Sequence, residues 1–171
     1  MDRVLAIDHQ AGTVTVEGGI RLAALVRALA AQGLALPNLG SIAAQSVAGA
    51  IATGTHGTGL RLGNLSSFVR GLRLLTPSGE AIELREGGGE GELLAAARVH
   101  LGCLGAVTQV TLACVPAFRL RERAAPCGFS EALAQPGGLA RAARVRQAVV
   151  VAPGRRGAGV PLRPDRAAAG A

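Results

Sequence analysis

Lysine, tryptophan and tyrosine are absent from this 171-residue chain, and phenylalanine occurs three times. With so few aromatic rings there is no platform on which bases or sugars could stack, which argues against a single-stranded nucleic-acid binder and against a lectin. Cysteine is scarce too. Cys103, Cys114 and Cys127 are odd in number and lack CxxC or Cys/His spacing, so they indicate neither a disulfide framework nor a metal site, and buried, reduced thiols are expected. No run of about 18 apolar residues occurs, and no apolar leader follows Met1-Asp2-Arg3, so a membrane span is not expected and the cytoplasm is the expected location. Ser41 has no Asp/His couple in a strand-turn-helix context, which leaves a hydrolase unsupported.

What is present is aliphatic. Hydrophobic residues make up 49% of the chain and charged residues 17%, enough apolar material for the core of one domain or of part of a larger one. The net charge of +7 is unevenly placed. Residues 1–118 hold eight Arg and eight acidic residues, giving zero, whereas residues 119–171 hold ten Arg and three acidic residues, giving the whole +7. All the basic residues are Arg, and the tail is built mostly of Ala, Arg, Gly, Pro and Val. Stretches such as Arg155-Arg156-Gly157 lack the spacing of a phosphate-binding surface, so nucleic acid is not an expected partner. The alternative reading is a non-enzymatic interaction module whose basic tail binds nucleic acid or an acidic partner.

Along the chain, residues 4–8 and 13–17 read as two β-branched strands joined by a loop that ends in Gly12. Leu22, Leu25, Val26 and Leu29 recur at helical spacing, which predicts a helix over 20–32 stopped by Gly33. Pro37 to Gly40 opposes regular structure, and a short helix over 47–52 capped by Ser46 is predicted next, followed by loop to Asn64. Residues 69–76 and 81–85 flank Pro77-Ser78-Gly79 as a second hairpin. A helix over 92–99 and a long strand over 101–115, ended by Pro116, complete the pattern. His9 and His100 fall in expected surface turns. Beyond Ala134 no period of either kind survives the Pro and Gly residues, apart from an isolated strand-like piece at 147–152, so the tail is expected to be disordered or non-native.

Residues 40–59 carry the functional signal. Five hydroxyls (Ser41, Ser46, Thr53, Thr55, Thr58), glycines at 49, 54, 57 and 59, and a short helix amino end are the parts of a phosphate cradle. Neither GxGxxG nor GxxxxGK[ST] is present, so spacing alone leaves two readings open, a nucleotide-type ligand or a tightly turned structural loop. His56 is placed to donate to a phosphate or ring carbonyl, or simply to bond a loop carbonyl.

Three linked blocks then carry a resemblance: Leu36-Pro37-Asn38-Leu39-Gly40-Ser41-Ile42, Gln45-Ser46-Val47-Ala48-Gly49-Ala50, and Thr53-Gly54-Thr55-His56-Gly57-Thr58-Gly59. In this order they resemble the flavin-contacting segment of FAD-linked oxidases of the vanillyl-alcohol-oxidase type, above all the sugar-1,4-lactone and alditol oxidases. The likeness continues through Gly71-Leu72-Arg73-Leu74 and through Leu101 to Thr108, to about residue 123. It implies an α+β fold, part of an FAD-binding PCMH-type domain over 1–123 with a mixed sheet and flanking helices, followed by a low-complexity tail over 124–171. It also implies FAD as cofactor, held at Ser41, Ser46, Gly49, Ala50, Thr53, Gly54, Thr55, His56 and Val107, with Ser41 also approaching the substrate, a small polyol or sugar lactone. The family's glycine-rich pyrophosphate loop, which in many members carries a flavin-linked His, and its C-terminal catalytic domain have no match here. The chain is therefore expected to bind FAD yet not to turn over substrate alone, and the unmatched tail is what a shifted reading frame would produce.

Overall fold

The computed structural model describes residues 1–59, 61–89 and 91–121, together with Gly128, Ser130 and Ala134. Expectations about the tail, including Cys127 and the strand-like piece at 147–152, otherwise fall outside the described residues. Seven strands and three helices follow in chain order among the described residues: β1 (Val4–Asp8), β2 (Thr13–Glu17), α1 (Leu22–Ala31), β3 (Leu34–Ala35), α2 (Val47–Ala52), β4 (Val69–Leu75), β5 (Ala81–Arg85), α3 (Gly91–Ala97), β6 (Ala106–Ala113) and β7 (Val115–Pro116). A 3-10 turn over Leu65–Phe68 leads into β4. The fold is α+β.

Five strands form one sheet in the order β1-β2-β6-β4-β5. The expected mixed sheet is corrected here, because every pairing among the described residues is antiparallel. The reason is topological. Each helical connection, β2 to β4 and β5 to β6, joins strands of like direction but carries the chain past one intervening strand, so strands of like direction become second neighbours. The register aligns Val16, Val110, Leu72 and Leu84 in one row across four strands. All four are buried. The adjacent rows on the opposite face are polar: Thr15 meets Thr111, with their hydroxyls 2.9 Å apart, and Arg73 lies between Gln109 and Glu83. Burying an aliphatic side chain is worth about 1.5–3 kcal/mol, so this alternation decides which face the helices cover. α2 packs on β6 and α3 on β5, while Leu22, Leu25 and Leu29 of α1 join the same core.

Local signals account for the element ends. Gly33 stops α1 at φ +68°. Strand β6 begins at Ala106 rather than 101, because Gly102 (φ +84°) and Gly105 (φ +119°) turn the backbone away from extended geometry first. The long strand stops at Ala113 rather than at Pro116, which instead pairs with Leu34 as the last residue of β7 in the small β3–β7 sheet, where an edge position tolerates its missing N–H. At the start of the chain the Glu17 carboxylate accepts bonds from the Arg3 guanidinium and from the Asp2 and Arg3 backbone amides, and these hold its pKa at about 2.

Candidate cofactor-binding site

Two arms frame the site, residues 36–46 entering α2 and residues 53–64 leaving it. They cross at Gly57, where any side chain would strike the Leu39 carbonyl and the Asn38 amide oxygen. Asn38 is itself buried. Its Oδ1 accepts from Leu39 N at 2.9 Å and its Nδ2 donates to Gly63 O at 3.0 Å, stapling one arm to the other. Beside the crossing lies a cavity of about 260 Å³ with apolar walls from Leu36, Pro37, Leu39, Leu62, Phe118 and Leu120, and with Ser41 and Thr58 among its polar lining.

The helix amino ends are closed from within. Residues 18–23 and 43–48 run against each other, with an antiparallel bridge between Arg21 and Ser46. Val47 N donates to Ile20 O, Ala48 N to Gly18 O, and Gly49 N to Ser46 Oγ, while Leu22 N and Ala23 N of α1 donate to the carbonyls of Gln45 and Ala43. A phosphate cradle at the start of α2 is therefore corrected: the amides that would form it already have partners, as buried helix ends require. From Gly33 to Leu60 the sequence also contains no Asp, Glu, Lys or Arg, so no fixed positive charge belongs to this segment.

What remains open is a set of neutral polar groups. Ser41, Gly49, Thr53 and His56 are exposed, and Ser46, Gly54 and Thr55 are half-buried. Ser46 caps α2, its Oγ accepting from Gly49 N at 3.2 Å, which leaves its own O–H free to donate. Thr53 Oγ1 donates to Gly49 O at 3.1 Å, so it offers lone pairs instead. Thr55 Oγ1 accepts from Gln45 Nε2 at 3.4 Å. Gly54 adopts φ +64°, the left-handed turn that ends α2. Ala50 faces the core with no exposure, and its N–H and C=O bond Ser46 O and Thr55 N, so it supports the segment from beneath. Val107 is buried in β6, and Gly18 joins that strand to α2: Gly18 N donates to Thr108 O, Gly18 O accepts from Ala48 N, and a side chain at Gly18 would strike the Val107 carbonyl. These neutral donors and acceptors fit the ring carbonyls, imide and ribityl hydroxyls of a flavin, and the bare backbone at Gly49 leaves room for a flat ligand.

Residues 1–85 match the family described as FAD binding domain. The chain is 47% identical over 133 residues to bovine L-gulonolactone oxidase, covering 78% of this chain and 30% of that protein. It is 50% identical over 122 residues to L-gulono-1,4-lactone dehydrogenase of Mycobacterium tuberculosis, covering 71% and 28%. By the family match the chain carries an FAD binding domain, and the relatives it is similar to are named as a lactone oxidase and a lactone dehydrogenase. That domain is present in part, and the cofactor is FAD. A solved alkyldihydroxyacetonephosphate synthase superposes with a TM-score of 0.60 at 26% identity, covering 68% of this chain and 22% of that one. The chain thus spans less than a third of the length of the curated relatives it matches.

Several contributors to the geometry of this segment had no local signature. Gly18, the residue after β2, is the tie between α2 and β6. His100, expected in a surface turn, is buried against the carboxyl end of α2, where the next residue's amide, Leu101 N, donates to Ala52 O at 3.1 Å. Burial lowers its pKa. Cys103 is exposed rather than buried, whereas Cys114 is half-buried and its thiol is pushed up to about 11 by burial. No helix among the described residues is long and apolar enough to cross a membrane, and no cluster of His, Cys, Asp or Glu among them could hold a metal ion.

Proposed function

We propose that residues 1–123 form the folded unit of this chain and hold the flavin end of FAD along Ser41, Ser46, Gly49, Thr53, Gly54, Thr55 and His56, for oxidation of a sugar lactone or alditol. The observation that carries this reading is an uncharged, hydroxyl-rich segment left open beside a cavity while its neighbours form an aliphatic core. The similarity to L-gulonolactone oxidase and L-gulono-1,4-lactone dehydrogenase supports the substrate class. When bound, the flavin supplies the hydride acceptor. The protein's part is positional: Ser46 and Thr55 offer hydroxyls, Gly49 and Gly54 keep the backbone bare, and Ser41 reaches the cavity where substrate would approach. Ala50 and Val107 act indirectly, by holding that surface in shape. In this reading the chain alone binds FAD and does not turn over substrate, because none of the described residues that line the cavity is an acid or a base.

The test is a titration of the full chain with FAD, followed by flavin fluorescence, and then an assay with L-gulono-1,4-lactone and an artificial electron acceptor. Saturable quenching without lactone-dependent reduction is expected. No quenching would remove the cofactor assignment, and ordinary turnover would remove the claim of inactivity.

A further inference from the structure

His56 carries one hydrogen bond in the structure, from its Nδ1 to the carbonyl oxygen of Gly57 at 2.8 Å. A carbonyl oxygen can only accept, so Nδ1 must hold the proton. A neutral imidazole has one such proton, which makes Nε2 the atom with the free lone pair. The Gly57 carbonyl cannot drift, because Gly57 is wedged against the Leu39 carbonyl and the Asn38 amide oxygen, and Asn38 ties both arms together. The ring is exposed on the open side of the segment, so Nε2 is presented rather than buried. Of the two sequence readings of His56, the bond to a loop carbonyl is the one present, and a neutral ring in this tautomer has no further proton to give.

Resting on the reading above, we infer that His56 is a positioning residue that accepts, through Nε2, a hydrogen bond from an N–H or O–H donor of the flavin. The donors of that kind are the ring imide and the ribityl hydroxyls; the phosphates, which only accept, are excluded. Thr53, whose hydroxyl proton is committed to Gly49 O, presents lone pairs on the same segment and suits the same kind of donor.

Two measurements on the full chain test this at about pH 8.5, where imidazole rings are uncharged. Long-range ¹H–¹⁵N NMR of histidine-labelled protein, assigned with His56→Gln, is expected to show Nδ1 protonated and Nε2 bare. A ring protonated on Nε2 overturns the inference while leaving flavin binding standing. Flavin titration of His56→Gln, whose amide oxygen reaches the Nε2 position, is expected to stay within about threefold of wild type. His56→Asn keeps the bond to Gly57 but places nothing at Nε2, and is expected to weaken binding about fivefold to tenfold. The opposite ranking, Asn unchanged and Gln weakened, would make His56 a loop staple only. Repeating the pair with riboflavin and its N3-methyl derivative separates the donors: methylation that erases the Asn defect identifies the imide, and a defect that persists identifies a ribityl hydroxyl. A wild-type chain that binds no flavin would remove the proposed function and this inference together.

Discussion

His100 shows how one side chain can tie stability to pH. Its Nδ1 accepts from Gly102 N at 3.0 Å, its Nε2 has no partner among the described residues, and burial holds its pKa below the ordinary 6.5. The folded chain then binds fewer protons than the unfolded chain, so stability is full above 6.5 and declines as pH falls below it. Urea midpoints are expected to drop between about pH 8 and about pH 5, and His100→Gln is expected to shrink that drop; an equal drop in the variant would remove His100 as its source. The thiols divide in a related way. The thiolate is the reactive form, so in a Cys127→Ser background iodoacetamide is expected to modify exposed Cys103 in the native chain and half-buried Cys114 only after unfolding, as read by peptide mass spectrometry. Ser46 was legible as a cap because a hydroxyl directly before a run of small helix formers has one obvious use. The burial of His100 was not, since it depends on α2, whose end is about 50 residues away in sequence.

At the scale of elements, α2 is instructive because six residues cannot make a stable helix alone. It is held by its cap, by the Ile20 and Gly18 carbonyls at one end, and by Ser66 Oγ, which donates to Ile51 O at 2.7 Å. Ser46→Ala is expected to cost about 1 kcal/mol. Gly18→Ala is expected to cost more, about 2 kcal/mol or above, because its methyl would meet the Val107 carbonyl and part α2 from β6. Equilibrium urea unfolding measures both, and a Gly18→Ala chain as stable as wild type would show that this tie is dispensable. Helix α1, the two hairpins and the short α2 were all readable from spacing. The closed amino end of α2 was not readable, because its partners come from the turn before α1, and local sequence does not say which carbonyls will fill a helix end.

Taken whole, the buried aliphatic core among the described residues runs from Val14 to Leu112. Beyond Ala134 Pro and Gly interrupt the side-chain period in the sequence, so deleting residues 135–171 is expected to leave the thermal midpoint and the FAD titration unchanged; a loss of either would assign those residues a part in folding or binding. By itself the sequence determined which stretches become strands and helices, because side-chain period, glycine and proline act over a few residues. It also singled out the segment from Leu36 to Gly59, the proposed flavin contact, because its three blocks keep one order and spacing. Tertiary structure alone decided that the sheet is antiparallel, that the helix ends are sealed, and which nitrogen of His56 faces outward. Each of those depends on groups brought together from distant parts of the chain, where a backbone carbonyl, which carries no sequence signature, fixes the outcome.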